Sequence, residues 1–155
     1  MVTRWICQTK ITEIKEPGYQ ISGNLYTGIT AIVIKNQYDG LYYAHGVFNH
    51  PTPGVGGPFV FDGLPLSTSG PNSVDVYAQP YGDNNLLGAY PRLTVNPDNS
   101  VTVTSYDPTN PFNGPFDPNY KSHYDPATKT FYINYGYTTS APRTAYDTLE
   151  YIGPQ

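Results

Sequence analysis

Paired carboxylates are the first chemistry to look for in this sequence of 155 residues, which contains twelve Asp and Glu residues. Glycoside hydrolysis needs two carboxyl groups that face each other across the scissile bond, one protonated and one ionised. An Asp beside turn-forming residues usually accepts hydrogen bonds from its own backbone instead. Seven acids stand in such positions: Asp39, Asp62, Asp83, Asp98, Asp107, Asp117 and Asp125. Nothing pairs the remaining acids, which are Glu13, Glu16, Asp75, Asp147 and Glu150. We therefore expect no catalytic residues and no enzyme, with a glycoside hydrolase as the less favoured alternative.

Side chains that bind metals or act as nucleophiles are few. His45, His50 and His123 lack the spacing of metal ligands. Cys7 is the only cysteine, and its run "RWICQTKI" is typical of a small buried side chain. The Gly-rich "GVGGP" at 54–58 lacks the Lys and Ser/Thr of a phosphate-binding loop. We expect neither a metal nor a cofactor.

Binding chemistry is better supplied than catalytic chemistry. Sugars are recognised by aromatic faces against their C–H patches and by amide or carboxylate groups that bond their hydroxyls, often on loops carried by a rigid scaffold. Two predicted loops, 79–85 and 106–126, contain such groups. The candidate ligand-binding residues are Tyr81, Asp83, Asn84, Asn85, Phe112, Phe116 and Tyr120, with Tyr132 on a strand. As alternatives, Phe112 and Phe116 fold back beneath their own loop, and Tyr132 stacks on a residue of the adjacent strand.

Strands must position these loops, because alternation of apolar and polar residues is widespread and helical periodicity is almost absent. In "RLTVNPDNSVTVTSY", Leu93, Val95, Val101 and Val103 share one face, and a Pro/Asp/Asn turn joins the two runs. Further strands are predicted at 4–14, 26–35, 41–48, 58–61, 73–79, 130–137 and 145–152. The expected fold is all-β: a single domain over 1–155, an antiparallel meander of about nine strands in a closed or partly closed, lipocalin-like barrel. A two-sheet β-sandwich is the alternative.

The tyrosine-rich stretch 124–137 is predicted to be mainly a strand of the core. Its odd-numbered side chains, from Phe131 to Tyr137, are expected to face the core, and Thr130, Tyr132, Asn134 and Gly136 are expected to face solvent. Most of its rings are therefore not expected to form a sugar platform.

Composition excludes several classes of function. The net charge is −4 and the eight Lys and Arg residues are scattered, so nucleic acid is not expected as a partner. No stretch resembles a transmembrane segment. Scarce Lys and abundant Tyr, Asn, Thr and Pro are common in secreted β-domains. We expect an exported protein whose leader or preceding domain lies upstream of Met1.

The last 60 or so residues resemble a domain of surface lipoproteins from Bacteroidota polysaccharide-utilisation (Sus-like) systems. The resemblance lies in "YDPATKTFYINYGYTTSAPRTAYDTLEYIG", with a turn at Asp125, Pro126, Thr128 and Lys129, an aromatic strand from Phe131, then Arg143, and a final strand with Asp147, Thr148 and Leu149. The segment "NPDNSVTV" at 96–103 is also similar. The resemblance implies a non-catalytic C-terminal domain at the cell surface, anchored to the outer membrane through a lipid or domain elsewhere in its protein.

The expected function is that of a glycan-binding or accessory domain of a polysaccharide-uptake system. Its partners would be a polysaccharide or neighbouring domains of the same surface complex. A structural or adhesive domain without a small ligand is the alternative.

Overall fold

The computed structural model describes residues 4–10, 27–81, 85–109, 111–112, 117–138 and 142–155. In these ranges the chain forms strands and turns, and no helix is long and apolar enough to cross a membrane. The strands are β1 Arg4–Lys10, β2 Thr27–Val33, β3 Gly40–Asn49, β4 Gly56–Gly70, β5 Ser73–Val76, β6 Gln79–Tyr81, β7 Asn85–Leu87, β8 Pro91–Val95, β9 Val101–Ser105, β10 His123–Asp125, β11 Thr130–Thr138 and β12 Pro142–Gly153. Contacts between Cα atoms divide the chain into two units, Met1–Ile34 and Lys35–Gln155.

The first unit contains the antiparallel pair β1 and β2. Arg4 lies opposite Val33 at one end of the pair, and Lys10 lies opposite Thr27 at the other. Both strands were expected from the sequence. The predicted strand 4–14 extends to residues 11–14, which lie outside the described residues.

The second unit is built on one eight-stranded antiparallel sheet that nearly closes into a barrel. The strand order is β10-β11-β12-β3-β4-β5-β8-β9, with β12 paired to β3 from Thr144 to Gly153. The two edge strands meet at one end, where the Val101 N–H donates to the Ser122 carbonyl (2.9 Å) and the Tyr124 N–H donates to the Asn99 carbonyl (2.8 Å). We call this junction of β9 and β10 the seam. The expected antiparallel meander in a partly closed barrel is confirmed, and the sandwich alternative is not formed.

Alternation along the strands fills the interior, as expected. Val74, Val76, Leu93 and Val95 are buried, whereas Tyr77 is 63% exposed. The bulkiest side chains with no exposed surface are Tyr42, Phe48, Leu64, Leu66, Leu93, Phe131, Ile133, Tyr135 and Leu149. A buried tyrosine needs a partner for its hydroxyl. The Tyr42 hydroxyl donates to the Tyr38 carbonyl at 2.9 Å.

Strand β4 is longer than the sequence predicts, and its cause is a bulge. The predicted strand covered 58–61, but β4 runs for fifteen residues. The register against β3 shifts between Tyr42 and Ala44, where Leu64 and Phe61 are the partners. Gly63 adopts a φ of 76°, which glycine tolerates and other residues rarely adopt. This glycine lets the strand continue past a point that looks like a turn.

The turn at 36–40 is present but does not close the hairpin that Asp39-Gly40 favours. Strand β3 takes its partners from β4 and β12. The Asp39 carboxylate is instead used at long range, because its Oδ2 accepts the Thr68 N–H at 2.8 Å and the Thr68 hydroxyl at 3.0 Å. An Asp-Gly pair at this position predicts a tight hairpin, and that prediction is wrong for this turn.

The three Asp-Pro pairs start turns, as expected. The Oδ1 atom of Asp107 accepts the Thr109 N–H, and that of Asp125 accepts the Ala127 N–H. The Oδ1 atom of Asp117 accepts a third bond of this kind, from the Asn119 N–H. The turn at Asp125 lies between β10 and β11. The predicted loop 106–126 therefore contains the short strand β10.

Gly46→Ala should destabilise the barrel by about 3 kcal/mol or more, because overpacking against backbone has no cheap relief. A Cβ at Gly46 would overlap the Tyr146 carbonyl of the neighbouring strand β12. Gly70→Ala is the matched control, since its Cβ would lie 3.5 Å from the Ser73 hydroxyl, an ordinary contact. Urea unfolding followed by circular dichroism measures both, and equal stability of the two variants would contradict this packing.

Candidate functional site

An outward-facing aromatic cleft forms where β5, β8 and β9 run side by side. Asp75 of β5 lies opposite Arg92 of β8, and Arg92 lies opposite Thr104 of β9. Because side chains alternate along a strand, Tyr90, two residues before Arg92, is placed on the same outer face. Tyr77 and Tyr106 follow Asp75 and Thr104 by two residues and reach this face in the same way. The outer face thus has an ion pair at its middle and tyrosines at one end.

The cleft has a volume of about 440 Å³ and is lined by Tyr77, Ala78, Leu86, Gly88, Tyr90 and Tyr106. We call it the tyrosine cleft. The rings of Tyr90 and Tyr106 lie 5.4 Å apart at 49°. The Tyr106 hydroxyl donates to the Tyr77 carbonyl at 3.3 Å, which ties β9 to the chain after β5. The hairpin of β6 and β7 supplies Leu86. Tyr77 is the most exposed ring of the lining.

A bidentate ion pair borders the tyrosine cleft. The Nε and Nη2 atoms of Arg92 donate to the two carboxylate oxygens of Asp75 at 2.6 and 2.9 Å. The Arg92 guanidinium carbon lies 5.9 Å from the centre of the Tyr106 ring. The hydrogen bond to Asp75 raises the pKa of Arg92. Burial is the main cause that raises the pKa of Tyr106, and the negative charge of Asp75 is the second. The pair therefore fixes a flat cationic group, with its charge compensated, beside an aromatic ring.

A smaller pocket of about 280 Å³ lies at the seam. Its lining is Val101, Val103, Asp117, Tyr120, Ser122 and Asn134. Several of its polar groups already hold the fold together. The Asn134 side chain accepts the Asp117 N–H at 2.9 Å and donates to the Ala145 carbonyl at 2.9 Å. The Ser122 hydroxyl accepts the Asn134 N–H at 2.9 Å. These bonds anchor the chain before β10 to β11, so several polar groups of the seam pocket are used by the fold itself.

The same anchoring corrects one expectation about the stretch 124–137. Phe131, Ile133 and Tyr135 are fully buried, as expected. Thr130 and Asn134 were expected to face solvent but are only 3% and 6% exposed. Gly136, also expected at the surface, is buried. The segment that starts at Asp117 covers Asn134, so this strand has its two faces covered over part of its length.

Asp147 is a buried acid on the inner side of β12. It is 2% exposed, and its Oδ2 accepts the Tyr135 hydroxyl at 2.9 Å. No described residue hydrogen-bonds its Oδ1. Burial raises the pKa of Asp147 to about 7, against the lowering effect of the Tyr135 bond. The sequence offered no signal for this burial beyond the alternation of Ala145, Asp147 and Leu149.

The sequence-predicted binding residues that the structure describes lie in different places rather than in one site. Tyr81 is half-buried and packs edge-on to Phe48, with ring centres 6.3 Å apart. Asn85 is exposed at the start of β7. Phe112 stacks on Tyr135 at 4.9 Å and packs against the barrel core, so it turns inward as the alternative predicted, but onto the main core and not into a mini-core of its own loop. Asp83, Asn84 and Phe116 lie outside the described residues.

The two remaining candidates lie near β10 and β11. Tyr120 lines the seam pocket and meets Tyr146 edge-on at 5.5 Å. Tyr132 stacks on His123 at 4.8 Å, directly across the β10–β11 pair. The cross-strand alternative for Tyr132 is thereby confirmed. His123 belongs to β10, although the sequence placed it in a loop.

Sequence reasoning missed the tyrosine cleft. Alternation along the predicted strand 73–79 places Asp75 and Tyr77 on its outer face, and alternation along 92–95 places Arg92 on the face opposite Leu93. Tyr90 and Tyr106 stand beside predicted strands, and nothing local indicates that the two meet. The sequence does contain outward aromatic and charged residues at 75–77, 90–92 and 104–106. They can be recognised as one site only when the pairing of β5, β8 and β9 is known.

Metal ligands are not gathered anywhere in the part of the chain that the structure describes. No group of three or more His, Cys, Asp or Glu side chains there could hold an ion.

A family model described as "-like, C-terminal" matches residues 26–151, well over half of the chain. The chain belongs to this family of C-terminal domains. No curated protein matches it.

Solved structures show a similar fold. One is a Bacteroides ovatus protein of unknown function, with a TM-score of 0.55 and 17% identity over 83% of this chain and 46% of that chain. Another protein of unknown function from the same organism has a TM-score of 0.48 and 13% identity over 94% of this chain and 57% of that chain. The chain thus spans about half the length of each of these proteins. The first of them supports the β-fold expected for this domain.

Asp147→Asn should change how stability depends on pH. The Asp147 carboxyl has a pKa of about 7 when folded and an ordinary value of 3.8 when unfolded, so the unfolded chain releases this proton first. Its ionisation lowers the free energy of unfolding as pH rises from about 4 to about 7, by an amount on the order of 4 kcal/mol. Asparagine does not ionise. The free energy of unfolding of the variant, relative to that of the wild type, should therefore rise by that amount between pH 4 and pH 8. Guanidinium unfolding at each pH measures it.

Asp98→Asn is the control for this experiment. Hydrogen bonds from Ser100 hold the pKa of Asp98 below its ordinary value, so its loss should have the opposite pH trend. Parallel stability profiles for Asp147→Asn and wild type would contradict the burial of this carboxyl.

Proposed function

We propose that this domain is a non-catalytic glycan-binding module of a cell-surface polysaccharide-uptake system, and that the tyrosine cleft is its binding site. The observation that carries the proposal is the meeting of Tyr77, Tyr90 and Tyr106 in one open cleft beside the Asp75–Arg92 pair. Aromatic faces cover the C–H patches of a sugar ring, while fixed polar groups bond its hydroxyls. An open cleft on the outer wall also suits a chain that continues in both directions.

Exposure favours a binding role for Tyr77. Most tyrosines of the core and the seam are packed or hydrogen-bonded within the fold, whereas Tyr77 has 63% of its surface exposed. A large aromatic side chain held at the surface by its backbone can contact a ligand with little loss of conformational entropy. The Tyr106 hydroxyl bond to the Tyr77 carbonyl keeps the backbone at this point in place.

The placement of the acids in the described part of the chain supports a role without catalysis. Asp117 accepts the Tyr146 hydroxyl at 3.2 Å on the outer side of β12. Asp147 lies on the inner side of the same strand, so the strand backbone separates these two carboxyls. Asp75, beside the cleft, is paired with Arg92. A glycosidase needs two carboxyls that face one another across a bond, and this arrangement does not favour one.

The cell-surface setting is part of the proposal. It is supported by the resemblance of residues 124–153 to domains of Sus-like surface lipoproteins and by the C-terminal position named in the family description. The Bacteroides ovatus protein with a similar fold is about twice as long as the chain. We propose that the parent protein is exported and anchored at the outer membrane through a segment other than the strands described here.

A structural role is the second candidate, and an apolar strip on the outer wall favours it. Val47 of β3 and Val60 of β4 are 38% and 37% exposed, and Pro58 lies opposite Val47. This strip would suit packing against a neighbouring domain of the same surface complex. It lies on strands other than those that form the tyrosine cleft, so variants of the two surfaces separate the two functions.

Tyr77→Ala and Tyr106→Ala should each weaken polysaccharide binding about tenfold, equal to about 1.4 kcal/mol, because each removes one ring of the platform. Affinity gel electrophoresis against a panel of plant, host and microbial polysaccharides finds the ligand, and calorimetry measures the loss. Tyr132→Ala is the control, since it removes an outer-face tyrosine that stacks on His123 away from the cleft. No retention of the wild-type domain by any polysaccharide would contradict the proposal, and so would an equal loss in all three variants.

A further inference from the structure

We propose that the tyrosine cleft selects uncharged glycans, with the Asp75–Arg92 pair as its specificity-determining element. This inference rests on the proposed function, and it names the class of ligand. Aromatic side chains can stack on the sugar rings of neutral polysaccharides and of acidic polysaccharides. The charged groups that border the cleft distinguish the two.

The positive charge of Arg92 is compensated by Asp75. Each of the two oxygens of Asp75 accepts a hydrogen bond from Arg92, so the positive charge beside the cleft is compensated at 2.6–2.9 Å. A carboxylate on a sugar would have to share this guanidinium with Asp75, and two like charges on one cation repel each other. The net charge of −4 on the chain adds a long-range term against polyanions. The wild-type site therefore offers an acidic sugar no unpaired cation.

The geometry of the ion pair leaves part of the Arg92 guanidinium available to a ligand. The side chain of Asp75 is 12% exposed and that of Arg92 is 38% exposed, so the guanidinium lies on the solvent side of the pair. Asp75 uses the Nε–H and one N–H of Nη2, and in the described structure the Nη1 edge makes no further hydrogen bond to protein. Arginine has five N–H donors and no acceptor. The pair thus presents fixed donors beside the Tyr106 ring, which suits the hydroxyl and ring oxygens of a neutral sugar.

Asp75 has two effects on Arg92. It holds the guanidinium in one orientation and cancels its charge. Asp75→Asn keeps a hydrogen-bond acceptor of the same size but leaves the Arg92 charge uncompensated. The variant should then attract acidic polysaccharides that the wild type does not retain. A residue with a merely structural role would lower all binding and would not exchange one ligand class for another.

The test compares two sets of polysaccharide in affinity gels with the full chain. The neutral set is arabinoxylan, a β-glucan and a galactomannan, and the acidic set is polygalacturonate and alginate. We expect the wild type to be retained by at least one neutral polymer, at least tenfold more strongly than by either acidic one, with little change between 50 and 500 mM NaCl. We expect Asp75→Asn to gain at least fivefold on an acidic polymer at 50 mM NaCl and to lose that gain at 500 mM.

The outcomes separate the two proposals. If no polysaccharide in the panel or beyond it retains the wild type, the proposed function fails. If the wild type is retained by an acidic polymer as strongly as by any neutral one, the glycan-binding function stands and the inference of neutral selectivity is overturned. A folded Asp75→Asn with unchanged preference, verified by its melting temperature, would also overturn it. If Asp75→Asn does not fold, the wild-type selectivity and its salt dependence decide the question alone.

Discussion

The junction of β9 with β10 is the constraint on which the rest of the barrel depends. Seven strand pairs form hydrogen-bonded ladders, three of them with a register shift, and the eighth contact consists of a few backbone bonds around Ser100. A sheet with unpaired edges exposes backbone donors and acceptors, and closure removes them. The segment before β10 adds to this junction through Asn134, which bonds both Asp117 and Ala145. One buried amide side chain on β11 thus connects the long loop to β12, next to the β9–β10 junction.

Closure divides the tyrosines into two populations. Inside the barrel, Tyr42 and Tyr135 contribute volume to the core, and each hydroxyl has a buried acceptor. For Tyr135 that acceptor is Asp147, so the core accommodates an acid whose pKa is raised by burial. Outside the barrel, tyrosines at the ends of β5, β8 and β9 meet over the hairpin of β6 and β7. The tyrosine cleft is thus a consequence of strand alternation in a closed sheet.

Much of the fold could be predicted because it depends on local patterns, and the site could not because it depends on pairing. Alternation assigned Leu93 and Val101 to the core, and Asp-Pro pairs marked the turns. The continuation of β4 past Gly63 escaped prediction because a φ of 76° is not visible in the sequence. Loop aromatics were preferred as ligand contacts, yet Phe112 is drawn into the core by Tyr135. Tyr90 and its neighbours in the cleft are distant in sequence, and only the strand order brings them together.

We propose that the outer-wall tyrosines bind glycan, whereas the inner tyrosines stabilise the barrel. NMR of the domain with ring-labelled tyrosine, titrated with an oligosaccharide of a polymer that retains it, tests this most directly. We predict shifts of the Tyr77, Tyr90 and Tyr106 ring signals, with those of Tyr42 and Tyr135 unmoved. Shifts confined to rings outside the tyrosine cleft, or no ring shift at saturating ligand, would contradict the account.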